Sequence, residues 1–366
     1  MHHRSPLARV VAYAALACAA VLAACSDQAT TAPRASADAT ANAPTSEGRI
    51  EALPDDAETE GLGRFPTITG VMARRAEDSL RLSSPQAYAD VSSNAVAFPI
   101  MYHGGPVMTN ANKIVSIYWG PSTIYTNGPT PGTVGSGNND YSLIGYFLRN
   151  IGQTPYWKIN QEYRDSQGKG VPNALYYTKY WANPSSPGST PNDDAIRNMI
   201  KSGFYTKYAP DQNTIYLVFS GPGVNLGGGF GTTDGYCAYH NRFRYVNGPF
   251  VYIIKYAVMP YGASKPECTA NLIETKGPNP DHGADVEVSA LAHELAETVT
   301  DPQLNAWYDM QTPKQENADK CAWKFGNTYT TANGAKANIK VGVKDFLIQQ
   351  NWKIGNMINQ VGCRMS

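Results

Sequence analysis

The chain has 366 residues, with 30 basic and 30 acidic side chains, 42% hydrophobic residues and 6 cysteines. So even a charge balance lacks the basic footprint of a nucleic-acid-binding domain and offers an anionic membrane surface no attraction, so no nucleic-acid partner is expected. The hydrophobic content is enough for a substantial core.

Residues 1–24 read as an export signal. Arg4 and Arg9 make a positive start and an apolar run follows from Val10 to Leu22, too short for a permanent membrane span. The run ends in Leu22-Ala23-Ala24-Cys25, which resembles a bacterial lipobox. That resemblance implies acylation of Cys25 as the new first residue, with ordinary secretion as the alternative. Ser26 implies, on the same grounds, release from the inner membrane. The expected location is therefore the cell envelope on the outer-membrane or periplasmic side, with the lipid anchor as the contact to the membrane, or the exterior. Cys18 leaves with the signal and Cys25 carries the lipid, so Cys237, Cys268, Cys321 and Cys363 remain. In an oxidising compartment an even set of cysteines predicts two disulfides. Three pairings are open, and the sequentially nearest, Cys237–Cys268 and Cys321–Cys363, are favoured.

Residues 25–94 are expected to form a stalk. Up to about residue 60 they are rich in Ala, Thr, Ser, Pro and Asp, and cannot bury enough apolar surface to offset their ordering entropy. Val71 to Leu82, with Arg74 and Arg75, suggests a short helix, either a docking element or part of a pro-segment. Residues 95–366 have the composition of one globular domain. Strand-like runs occur at Ile114–Trp119, Ala174–Tyr177, Thr214–Phe219 and Phe250–Ile254, all β-branched or aromatic. Asp193 to Ser202 reads as a helix capped by Asn192. The mixture predicts an α/β or α+β fold with a central mixed sheet. Gly221 to Gly231 lacks the Gly-Lys-Ser/Thr ending of a phosphate loop and reads as a surface loop.

The segment Ala284 to Pro302, ADVEVSALAHELAETVTDP, carries the chemistry. Val288, Leu291, Leu295 and Val299 recur at helical spacing, and Pro302 ends the helix. His293, Glu297 and Asp301 stack on another face, each four residues from the last. His293-Glu294-x-x-Glu297 is a variant of the HExxH zinc-hydrolase motif. Residues four apart project from one turn, so His293 and Glu297 can share an ion, and Glu294 can act as general base on its bound water. Glu316, 19 residues beyond Glu297, resembles the distant third ligand of the gluzincin peptidases, which implies Asp319 or Asp301 as a partner orienting a ligand. Zinc is the expected cofactor, with calcium less suited to an imidazole ligand, and the helix is expected to be zincin-like. Between Lys276 and Lys314 no other Lys or Arg occurs, while Asp281, Asp285, Glu287, Glu294, Glu297, Asp301 and Asp309 do. Such an imbalance points to a cation, although a solvated helix face would show similar spacing. His240, beside a disulfide cysteine, and Tyr308, shortly after the helix, are candidates to line the site. His103 and His282 are weaker ones.

Tyr102-His103-Gly104-Gly105-Pro106, Ile117-Tyr118-Trp119-Gly120, Asp234-Gly235-Tyr236-Cys237 and Thr298-Val299-Thr300-Asp301-Pro302 occur in one order from Tyr102 onward. In these landmarks the chain resembles the EXORDIUM/phosphate-induced protein family, in which Cys321 and Cys363 correspond to a late cysteine pair. The resemblance implies an extracellular or wall-associated role without an established catalytic mechanism. Two functions follow. One is a zinc-dependent hydrolase, a peptidase acting on peptide or cell-envelope substrates. The other is a non-catalytic surface protein whose acidic helix holds a structural ion or a partner.

Overall fold

Short β-branched and aromatic runs bounded by turn residues assemble into one mixed sheet, because only pairing satisfies their backbone groups once both faces are covered. The computed structural model describes residues 48–51, 53, 71–73, 98–232, 235–311, 314–355 and 361–366. In chain order the strands that matter here are β1 (Arg49–Glu51), β2 (Val71–Ala73), β3 (Met101–Tyr102), β4 (Asn112–Trp119) and β5 (Val134–Ser136). They continue as β6 (Leu175–Asn183), β7 (Thr214–Ser220), β8 (Tyr236–Asn247), β9 (Phe250–Met259) and β10 (Trp307–Tyr308). The main sheet runs β1-β8-β9-β7-β4-β6-β5, with β2 also on β8, while β3 and β10 form a separate ribbon. The central strands β9, β7, β4 and β6 are parallel, and β8 and β5 close the two sides antiparallel. This is the expected mixed α/β sheet. The Asp193–Ser202 helix forms with Asn192 accepting from the Ala195 N–H.

Two elements depart from the stalk expected over 25–94. Arg49–Glu51 pairs with Arg244–Val246, and Glu51 forms ion pairs with Arg49 and Arg244. Val71–Ala73, where the sequence suggests the start of a helix, is a strand against Tyr236–Tyr239. β8 is 12 residues long, and its outer edge presents unpaired N–H and C=O groups that short segments can satisfy whatever their intrinsic helix tendency. Cys25, the export signal and Arg74–Leu82 lie outside the described residues.

The long helix spans His282–Thr300, starting two residues before the expected Ala284. Asp281 caps it by accepting from the Ala284 N–H and also accepts from the Thr126 N–H. Asp301 ends it, its N–H donating to the Glu297 carbonyl, and Pro302 forbids continuation. The stripe Val288, Leu291, Leu295 and Val299 is 0% exposed and joins the core where the helix packs on β8 and β9. Each such side chain contributes about 1.5–3 kcal/mol. The opposite face is covered too. Every residue from Gly283 to Thr300 is buried, so the solvated-face alternative is excluded. The C-terminal segment makes that second cover, through Gln349 N–H to Ser289 Oγ and Asp319 N–H to Glu297 Oε1.

The disulfides Cys237–Cys268 and Cys321–Cys363 form as favoured. The first ties β8 to the loop beyond β9, and the second fastens the 319–321 turn to the C-terminal strand Gly362–Arg364. Gly221–Gly231 is a loop, pinned where Tyr236 Oη donates to Leu226 O and accepts from Gly229 N–H. Gly227 has φ +80° and a Cβ there would collide with the Tyr236 hydroxyl, so glycine is required.

Candidate metal centre

The buried helix face carries His293, Glu294 and Glu297, β8 contributes His240, and the loop after β10 contributes Glu316 and Asp319. His293 and Glu297 come together because an i,i+4 pair shares one helix face. His293 Nε2 lies 3.1 Å from Glu297 Oε1 and 3.4 Å from Asp319 Oδ1. These three ligand atoms form one group capable of holding an ion, and His240, Glu294 and Glu297 form another. Glu316 does not join His293. Its Oε2 lies 2.8 Å from His240 Nε2, which is also 3.6 Å from Glu297 Oε2. The structure thus sets Asp319 where the sequence reading set Glu316, and brings His240 from the margin to the centre.

The 319 turn is built to present its carboxylate. Asp319 Oδ2 accepts from the Glu316 N–H at 3.0 Å, leaving Oδ1 toward His293. His293 Nδ1 lies 3.4 Å from Gln349 Oε1, which also accepts from the Trp323 N–H. A proton on Nδ1 leaves Nε2 as the lone-pair atom facing the carboxylates, the tautomer a metal ligand needs. Gln349 was not legible as a site residue, since it follows Leu347-Ile348 with no motif spacing.

Asp301 sits at the cluster's edge, where Oδ1 caps the Asn305 and Ala306 N–H groups at 2.7 Å each. Tyr308 belongs elsewhere. Its ring stacks on His103 with centroids 3.8 Å apart, and Lys314 Nζ sits 4.2 Å over it. His282 accounts for itself structurally through Ile273 O at 2.8 Å. Four acids of the unbalanced stretch have local partners: Asp281 at the cap, Asp285 with Asn279, Glu287 with the Gly262 N–H, and Asp309 with Lys320. The charge imbalance therefore narrows to the cluster itself.

Electrostatics mark the cluster as short of positive charge. His240, His293, Glu294 and Glu297 are each 0% exposed and Glu316 2%. Burial, then the charges of His293 and Arg242, push the His240 imidazole down to about 3, so it is neutral. For His293 burial acts the same way, but Glu297 and Asp319 outweigh it and hold its proton affinity well above the usual range. Burial and Asp319 raise Glu297 to about 7. Burial, Asp301 and Glu297 raise Glu316 strongly. Buried carboxylates resist ionisation unless a cation compensates them. Moreover, His293 Nε2, Glu297 Oε2 and Glu316 Oε1 have no aligned hydrogen-bond partner. Buried polar atoms left without an aligned partner are ones that a bound cation would satisfy.

Fold and cluster together define a mixed α/β protein whose central helix buries a histidine–carboxylate group under a disulfide-fastened C-terminal segment. Residues 100–346 match the conserved region of phosphate-induced protein 1, and the chain belongs to that family. It is similar to Protein EXORDIUM-like 3 of Arabidopsis thaliana, 26% identical over 290 residues that cover 71% of this chain and 82% of that protein. Protein EXORDIUM-like 5 of the same plant is 27% identical over 288 residues, covering 71% and 73%. No solved structure matches significantly. Two disulfides are the covalent chemistry of an oxidising compartment. Among the described residues no helix is long and apolar enough to cross a membrane.

Proposed function

We propose that this is a non-catalytic extracellular or cell-surface protein of the EXORDIUM type, built around a buried divalent metal centre and tethered through a lipid on Cys25. The observation that carries this reading is closure. The donors that converge on the 282–300 helix are at most 2% exposed, Asp319 excepted, whose side chain is 13% exposed. Structural metal sites are closed, whereas catalytic ones keep an open coordination position and a path for substrate. His293, Glu297 and Asp319 hold the ion. Its charge offsets the buried carboxylates, and its bonds join the helix to the C-terminal cover. Imidazole with carboxylate suits zinc better than calcium.

Hydrolysis is the second reading, with Glu294 as general base. It draws on one observation, that Glu294 groups with His240 and Glu297 at the ion-binding position. Metal content and thermal shift separate these from no metal at all. Purified protein should carry zinc or gain thermal stability with it, Glu294→Gln should still bind an ion at the His293–Glu297–Asp319 group, and Glu297→Ala should lose binding there. Absence of any bound divalent ion, together with no shift from saturating zinc, manganese or calcium, overturns the metal reading. Cleavage of a peptide library by zinc-loaded protein, abolished in Glu294→Gln with metal retained, replaces the structural role by the enzymatic one.

A further inference from the structure

We propose that the cluster is a binuclear centre in which the Glu297 carboxylate bridges two divalent ions, one held by His293 and Asp319 and the other by His240, Glu294 and Glu316. This rests on the metal-binding reading above and adds a second ion to it.

The two donor groups, His293–Glu297–Asp319 and His240–Glu294–Glu297, have Glu297 alone in common. Its oxygens serve different sides. Oε1 is 3.1 Å from His293 Nε2, while Oε2 is 3.6 Å from His240 Nε2. A carboxylate serving one ion beside both imidazoles would gather both nitrogens about one point. Here each oxygen has its own imidazole and its own further acid: Asp319 Oδ1 is 3.4 Å from His293 Nε2, and Glu316 Oε2 is 2.8 Å from His240 Nε2. Neighbouring donors on one first-row ion stand about 3–3.4 Å apart, given ligand bonds of about 2.1 Å. Carboxylate-bridged pairs of such ions lie about 3.5–4 Å apart.

Charge selects the number of ions. Glu294, Glu297, Glu316 and Asp319 supply four negative charges when ionised, and two divalent ions with neutral histidines balance them. A single ion leaves two buried negative charges, each costing several kcal/mol in a closed site. Asp301 is left out of this count because its Oδ1 is held by two backbone N–H groups and Arg242 offsets its charge, although its buried Oδ2 has no aligned hydrogen-bond partner. The buried Glu297 Oε2, 3.6 Å from His240 Nε2, lacks a hydrogen-bond partner, and the second ion supplies one. Mixed imidazole and carboxylate donors suit zinc, manganese or ferrous iron.

The test uses the full chain, stripped with chelator and dialysed against manganese(II), with bound metal measured per chain and the electron paramagnetic resonance spectrum recorded. Two ions per chain are expected, with a spectrum broadened by exchange coupling instead of the six-line pattern of isolated manganese. His240→Gln should bind one ion and give the six-line pattern, and Asp319→Ala should also fall to one. One ion in the wild type overturns the second position and leaves the metal centre standing. No bound ion overturns both. Two coupled ions retained in His240→Gln overturn the ligand assignment, and the wild-type stoichiometry decides the number even if that variant fails to fold.

Discussion

Glu287 offers a quantitative check on how the central helix is buried, independent of any ion. It is 1% exposed, its Oε2 accepts from the Gly262 N–H at 3.0 Å, and Tyr125 is its neighbour. Burial raises its carboxyl from 4.5 to about 8, against the opposing pull of the Gly262 N–H and the nearby Tyr125 hydroxyl. The folded chain then keeps this proton at pH values where the unfolded chain has released it. Stability from this group is thus fully present below pH 4.5 and declines as pH rises, by about 1.4 kcal/mol per unit. The decline ends near pH 8, after a loss of about 5 kcal/mol. Glu287→Gln keeps the shape and cannot ionise. Urea unfolding of wild type and variant in chelator, at intervals from acid to alkaline pH, isolates the term, because other titrations cancel in the difference. The variant should match the wild type in acid and exceed it progressively toward pH 8. A difference that is flat with pH would refute the assigned burial of Glu287.

Other perturbations have distinct readouts. Leu295→Ala removes a side chain that is 0% exposed between helix and sheet, and should cost about 2–5 kcal/mol in denaturant unfolding. Replacing Cys321 and Cys363 together by Ala opens a loop of sequence separation 42, and should cost about 4 kcal/mol. The same variant should weaken manganese binding, since that bond fastens the turn bearing Asp319. Asn192→Ala deletes the cap bond to the Ala195 N–H, and should cost about 1 kcal/mol by the same measurement without altering metal content.

The strands legible beforehand were those whose own residues announce them. Thr214–Ser220 is buried along its whole length and reads as a continuous β-branched and aromatic run. β8 was missed because its run, Tyr236–Asn247, mixes Tyr with His, Asn and Arg. Its place in the sheet is decided by β9 on one side and by short edge strands on the other. β1 and β2 were illegible for the same reason: three residues carry too little pattern, and an open edge supplies what they lack.

The cysteine count and the helix around His293 follow from sequence alone, because each rests on local composition or spacing along the chain. The i,i+4 geometry brings His293 to Glu297 in any helix, so two of the three members of the His293–Glu297–Asp319 group need no tertiary information. Only the fold decides that His240, from a strand 53 positions away in the sequence, meets that helix, and that Asp319 and not Glu316 faces His293. It also decides that the face carrying these groups is sealed. Spacing fixes which side of a helix a residue occupies, but burial, and the charge compensation it demands, depends on what the rest of the chain lays over that side.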